Sequence, residues 1–405
     1  MSRHTITGID IGTYQVKVVI AEADGRNAHG LPKVLGVGIA ESKGLRHGYI
    51  VDVREVADSV RTAIAEAEKR SETRVKRAFV SVGGIGVGSI VSTSSIIISR
   101  ADSEITALDI KKVTEQCQKD IPANAIVNRK ILHPIPLQWK IDGKAVLGSP
   151  EGMKANKLEI KMLFITCLER HLNDVVQAIE EAGVVIQDVM AAPIAAGFVT
   201  LSKAQKIAGV VLANIGAETV SIAVFENNIP VSLEIFPIGS TDITNDIALG
   251  LKVPLEEAEQ IKVGAITGNA YPRKKLEEII EARLSDIFEL IEAHLKKIGR
   301  NGLLPAGIVI TGGGAGLGTI EDMARAALRL PSRIGTILMD TPADKLKDRN
   351  ERPRERQTFR DATWAVAYGL CILGMNAEAG PIIGGRNIFV VMFTKLTSWL
   401  KQFLP

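Results

Sequence analysis

Near the start of the chain an acidic side chain and a lysine stand on either side of a glycine bend. Gly8-Ile9-Asp10-Ile11-Gly12-Thr13-Tyr14-Gln15-Val16-Lys17 ends one apolar run at Asp10, turns through Gly12 and Thr13, and places Lys17 on the next run. Gly12 has no side chain, so the backbone of such a bend can approach an anion closely and its amides can converge on it. A phosphate suits that nest, with Lys17 as a point charge on the β-phosphate side and Asp10 holding a hydrated magnesium ion, which takes carboxylate, water and phosphate oxygens. Taken alone, the segment reads equally as a plain hairpin turn. Two more bends follow in order: Asn214-Ile215-Gly216-Ala217-Glu218-Thr219, and Thr311-Gly312-Gly313-Gly314-Ala315 behind the apolar run 308–310. Two hairpins gripping phosphates from opposite sides, with a third glycine bend beside the base, describe a cleft between duplicated halves. The lysine-plus-hydroxyl ending of a Walker loop is absent, and Gly-x-Gly-x-x-Gly does not directly follow a first strand.

The surrounding pattern supplies elements that could hold these bends. Alternating apolar residues predict a hairpin over 6–11 and 16–21, a third strand at 34–41, a helix over 53–70 and a strand at 78–82. The helix rests on Val56, Val60, Ala63, Ile64 and Ala67 at helical spacing. Residues 86 to about 163 differ in texture, with strands at 89–99, 131–141 and 158–166 and a helix at 107–119, and read as a small inserted α+β domain. A helix at 169–182 and a strand at 184–190 return to the first core. A second hairpin over 209–225 and a strand at 231–237 then repeat the opening plan about two hundred residues on. Helices fill 240–298, and the strand 307–311 runs through the third glycine bend into a helix from about 319.

Composition removes several function classes. The 405 residues are 46% hydrophobic and 23% charged, with a formal net charge of +3, which gives no one-signed field for nucleic acid. Cys117, Cys167 and Cys371 are far apart, with neither metal-ligand spacing nor a disulfide framework, so a reducing cytoplasm is expected. The N-terminus has no signal-peptide pattern, and no uninterrupted apolar run is long enough to span a bilayer. Residues 344–361 carry seven basic and five acidic side chains and read as a solvated connection.

The three bends in this order resemble the actin, heat-shock-70 and sugar-kinase superfamily. Over nearly its full length the chain resembles the FtsA family of bacterial cell-division actin homologues. The likeness includes Gly44-Leu45-Arg46-His47-Gly48-Tyr49-Ile50-Val51-Asp52, Val80-Ser81-Val82-Gly83-Gly84 before the insertion, and the insertion itself. It implies an α/β actin-like ATPase fold of duplicated ribonuclease-H-like domains with a small inserted α+β domain. The first domain would be 1–85 and 164–205, the insert 86–163, and the second domain 206–240 and 302–375. Residues 241–301 would form a helical subdomain, 376–387 a linker and 388–405 a membrane-targeting helix. Position by position, it assigns Asp10, Gly12, Thr13 and Lys17 to the first phosphate loop, Gly216 and Thr219 to the second, and Gly312, Gly313 and Gly314 to the adenosine side. Asp246 falls in a segment connecting the halves, and Glu259 and Lys262 on a helix near the ribose; without the resemblance that pair is equally a solvated surface ion pair. The implied cofactors are ATP and Mg2+. The implied partners are FtsZ, further copies of the chain in a filament, membrane lipids and other division proteins, at the cytoplasmic face of the membrane in the Z ring and septum. The rivals are a type IV pilus assembly ATP-binding protein of the PilM kind and a metabolic kinase, and the latter lacks a convincing carboxylate base.

One departure bears on chemistry. The family usually has Asp-x-Gly-Gly-Gly-Thr in the second loop, where this chain has Asn214, Ala217 and Glu218. Asparagine brings no charge to a magnesium ion and accepts no proton, so weak or absent ATPase activity is expected. Glu218 beside a triphosphate would be repelled by about 4 kcal/mol per unit charge pair at ~4 Å and an effective dielectric of ~20, unless it turns outward or a cation intervenes.

At the C-terminus Phe389, Met392, Phe393, Leu396, Trp399, Leu400 and Phe403 recur at three and four, with Lys395, Lys401 and uncharged polar residues opposite. Such a stripe suits either the protein's own core or anionic headgroups; its place after a Gly/Ala-rich linker and the FtsA resemblance favour the membrane. Gross burial of about 10 to 20 kcal/mol, opposed by the cost of ordering the helix, gives a reversible tether that polymerisation would multiply through avidity.

Overall fold

A computed structural model describes residues 4–22, 31–266, 271–337 and 361–378. The first half opens with β1 (Thr5–Ile11), β2 (Gln15–Glu22) and β3 (Lys33–Glu41), followed by the short pair β4 (Leu45–Arg46) and β5 (Tyr49–Ile50), then α1 (Val53–Ser71) and β6 (Arg77–Val82). The insert holds β7 (Val87–Ile97), α2 (Ala107–Lys119), α3 (Ala123–Ile126), β8 (Arg129–Ile141), β9 (Lys144–Val146) and β10 (Lys157–Leu168). The first half resumes with α4 (Glu169–Glu181), β11 (Val185–Ala191) and α5 (Ala192–Thr200), and α6 (Lys203–Ala208) leads out of it. The second half comprises β12 (Val210–Ile215), β13 (Val220–Glu226), β14 (Ile229–Phe236), α7 (Ser240–Leu251), α8 (Leu255–Lys262), α9 (Arg273–Lys297), β15 (Ile308–Thr311), α10 (Ile320–Leu328) and β16 (Ser332–Ile334). The last helix is α11 (Ala365–Glu378).

The duplication is explicit in strand order. One sheet runs β3-β2-β1-β6-β11 and the other β14-β13-β12-β15-β16. In each, a hairpin and its third strand pair antiparallel, and two further strands add in parallel on the far side of the first. The parallel connections need crossovers, supplied by α1 and by α4 with the insert in the first half, and by α7 to α9 and α10 in the second. The central strands are covered on both faces, and β12, Val-Val-Leu-Ala-Asn-Ile, is buried except at Asn214. Local signals fix α1: Asp52 caps its start, accepting from the amides of Arg54 and Glu55 at 2.9 and 3.2 Å, and Glu72 closes it in a left-handed conformation. Its face of Val56, Val60, Ala63, Ile64 and Ala67 is buried, as the spacing indicates.

Residues 302–375 were expected to lie wholly in the second half, but α11 packs on β1, β2 and β6 of the first sheet and on α5. Its backbone lies so close that a Cβ on Gly8 would collide with the carbonyl of Ala367, and one on Gly369 with that of Ala195. Meanwhile α5, the last helix of the first half, also touches β12 and β13. Each half thus lends its closing helix to the seam, and one apolar cluster runs from Ile9 and Phe79 through Ala195, Leu370 and Cys371 to Leu212 and Phe225. A second cluster, with Ile222, Ile243, Ile287 and Ile310, fills the outer face of the second sheet. The expected linker start at residue 376 also moves, because α11 continues through Glu378.

Candidate nucleotide cleft between the two halves

The hairpin turns of the two sheets share register and closure but not charge. Asp10 opposes Lys17 across β1 and β2, and the Gly12 amide donates to the Gln15 carbonyl at 3.2 Å. Asn214 opposes Ser221 across β12 and β13, and the Gly216 amide donates to the Thr219 carbonyl at 2.9 Å. The register therefore equates Asp10 with Asn214, Gly12 with Gly216, Gln15 with Thr219 and Lys17 with Ser221. Both turns open into one cleft of about 910 Å³.

One wall carries Asp10, Gly12, Thr13, Gln15 and Lys17, and the facing wall Gly216 and Thr219 with Gly312, Gly313 and Gly314; Glu259 and Lys262 also line the cleft. The structure thus brings together every residue that the sequence reading placed around a nucleotide. Gly312 is needed for two reasons: its φ of +88° is left-handed, and a Cβ there would overlap the Asn214 side-chain oxygen and the Ile215 carbonyl. The third bend is in this way stacked directly on the second.

Burial sets the electrostatics of the first turn. It raises the Asp10 carboxyl above its ordinary range, against the opposing pull of a 2.7 Å hydrogen bond from the Ser81 hydroxyl and the charge of Lys17. It lowers Lys17, against the support of Asp10 and Asp361. Lys17 Nζ donates to the Thr363 carbonyl at 2.9 Å and lies 5.6 Å from the Trp364 ring centroid. On the far wall Glu259 and Lys262 form a 2.7 Å ion pair from adjacent turns of α8. Thr244 Oγ1 donates to Glu259 at 2.6 Å, and Lys262 donates to Thr244 Oγ1 at 2.8 Å and to the Ser240 carbonyl at 3.1 Å. With its side chain only 8% exposed, Lys262 is a fixed cation of the wall.

Several cleft residues escaped the sequence reading. Gln15 was recoverable from register, since it stands three residues after Gly12 as Thr219 does after Gly216. Asp361, expected on a solvated connection, caps the short helical turn Ala362–Trp364 at the cleft's edge. Most of 344–361 lies outside the described residues, as do all seven residues of the terminal stripe. Asp246 faces away, held by Arg283 at 2.7 and 3.1 Å, and its neighbour Asn245 lines the cleft instead. Glu218 turns outward to the backbone of His47, one of the two escapes from repulsion foreseen for it.

Comparisons with known proteins agree on the family. Residues 211–369 match the family described as cell division protein FtsA, and residues 86–166 match the SHS2 domain inserted in FtsA. The chain is 30% identical to the cell division protein FtsA of Pseudomonas aeruginosa over 82% of each chain. It is 30% identical to that of Bacillus subtilis over 81% of this chain and 78% of the relative. To that of Escherichia coli K12 it is 25% identical over 99% of this chain and 96% of the relative. Among solved structures, a PilM-PilN type IV pilus biogenesis complex aligns with a TM-score of 0.67 at 17% identity, over 92% of this chain and 99% of that one. The ethanolamine utilization protein EutJ of Carboxydothermus hydrogenoformans aligns with a TM-score of 0.53 at 15% identity, over 92% and 91%. At such identity these two structures speak for the fold alone. The duplicated sheets, the insert and the sequence matches together place the chain in the FtsA family of actin-like cell-division proteins.

Proposed function

We propose that this chain binds ATP with Mg2+ in the cleft, polymerises under the cytoplasmic membrane and attaches FtsZ filaments at the division site, hydrolysing the nucleotide weakly or not at all. The observation that carries the nucleotide part is the pair of turns with matched register and matched closure facing one space. The cleft suits the ligand: Gly12, Gly216 and Gly312 let the three bends close tightly along its lining, and Lys17 and Lys262 supply positive charge. Asp10, steadied by Ser81, would hold a magnesium-bound water, and the metal would shield the phosphate charges. Weak turnover follows from Asn214, which stands where the first turn has a carboxylate and brings neither charge nor a proton acceptor.

The membrane part rests on the terminal stripe in the sequence and on the family. No helix among the described residues is long and apolar enough to cross a membrane. The FtsZ part rests on the family alone. Electron microscopy of the protein on anionic lipid monolayers, with and without ATP and FtsZ, tests all three. Membrane-bound polymers that recruit FtsZ are expected, and a monomer that ignores lipid, ATP and FtsZ would refute the proposal. A PilM-like role would leave membrane binding indifferent to removal of residues 388–405.

A further inference from the structure

The second turn carries at its tip a residue that the cleft does not use. Glu218 is half-buried but does not line the cleft. Its carboxylate accepts the backbone N–H of His47 in the first half, and the His47 ring Nδ1 lies 3.3 Å from the Glu218 carbonyl oxygen. His47 sits in the tight link between β4 and β5 with φ of +48°, a left-handed conformation uncommon outside glycine, and its amide finds its partner in the opposite half. The same link touches the start of the insert: the Ile85 amide donates to the His47 carbonyl at 3.5 Å, and a Cβ on Gly48 would collide with Gly84. Tyr14, the register counterpart of Glu218 in the first turn, is 68% exposed.

We propose that Glu218 is a clasp: it bridges the two halves at the cleft's edge, slows the escape of bound nucleotide, and ties the second phosphate turn to the segment that carries the insert. Its carboxylate acts as a hydrogen-bond acceptor for His47 rather than as a charge facing phosphate. The kinetic half of this proposal rests on the nucleotide-binding reading, while the contact itself does not. Glu218 is a positioning residue, because it reaches the ligand only through the turn it holds.

The test compares wild type, E218Q and E218A in two measurements: release of a fluorescent ATP analogue chased with excess ATP, and amide hydrogen exchange over residues 45–50 and 84–87 in nucleotide-free protein. Glutamine keeps an acceptor oxygen, so E218Q should resemble wild type, whereas E218A should release nucleotide about tenfold faster and exchange the His47 amide faster. If instead the carboxylate acts by repelling phosphate, both variants release nucleotide more slowly, and the clasp is overturned. Unchanged His47 exchange in E218A overturns it too, whatever the nucleotide does. Failure of wild type to bind the analogue defeats the nucleotide reading and leaves the clasp to be judged on exchange alone. Should E218A not fold, E218D, one methylene shorter, takes its place with the same expectation.

Discussion

Lys17 and Asp10 are a half-buried pair of opposite charges in the lining of the cleft. Antiparallel register sets them side by side, Ser81 steadies the carboxylate, and the Thr363 carbonyl with the Trp364 ring holds the ammonium. Lys17→Ala should weaken ATP binding at least tenfold, measured by calorimetric titration, and lower the melting temperature, because Asp10 keeps its desolvation and loses the opposing charge. Asn214→Asp restores at the second turn the carboxylate that the first possesses, and is expected to raise magnesium-dependent phosphate release severalfold over wild type. Robust wild-type turnover that vanishes in Asp10→Ala would contradict the weak-ATPase reading. Gly312→Ala should cost about 1 to 3 kcal/mol in a denaturant melt, since its backbone is left-handed and a Cβ would displace Asn214 and Ile215.

At the scale of elements, the closing helices decide whether the halves form one body. Gly369→Val would drive a branched side chain into the Ala195 carbonyl between α11 and α5, and a loss of about 2 kcal/mol or more is expected in a denaturant melt. His133, on β8 and 4% exposed, provides a pH handle. Burial pulls its pKa from 6.5 to about 4, opposed by a backbone hydrogen bond with Val189. Above pH 6.5 the imidazole is neutral folded or unfolded and costs nothing. Below it the unfolded chain gains a proton that the fold refuses, so stability falls between 6.5 and 4 and then levels. Between pH 7.5 and 5 His133 contributes a loss of about 2 kcal/mol, and His133→Asn should remove that share of the profile, leaving the shares of His171 and His294, whose pKa values burial also lowers.

Why some elements were legible in the sequence and others not follows from the range of the forces that fix them. The hairpin bends, α1 and α2 are set by local signals, namely a glycine turn, a capping Asp52 or Thr106 and an apolar stripe, and the structure finds them within a residue or two of the sequence reading. The apolar run of α11, from Val366 to Met375, has no polar face to mark a period, and its seat on the first sheet depends on contacts more than three hundred residues away. Trp364 and Thr363 entered the site by the same long route. Gln15 carried a signal, the repeated three-residue spacing, whose meaning became plain only once the two registers could be laid side by side.

At the scale of the whole molecule, the proposed function asks that the cleft between the duplicated halves take one nucleotide and that the terminal stripe act as a weak tether, which assembly would strengthen. Deleting residues 388–405 is expected to abolish sedimentation with anionic vesicles while leaving ATP binding within about twofold; co-sedimentation that persists would move the tether elsewhere in the chain. The claim beneath all of this is that both halves hold one nucleotide. Hydrogen exchange with and without MgATP tests it most directly. The expected result is simultaneous protection of residues 10–17, 214–221 and 311–317, and protection confined to one half, or to none of the three bends, would contradict it.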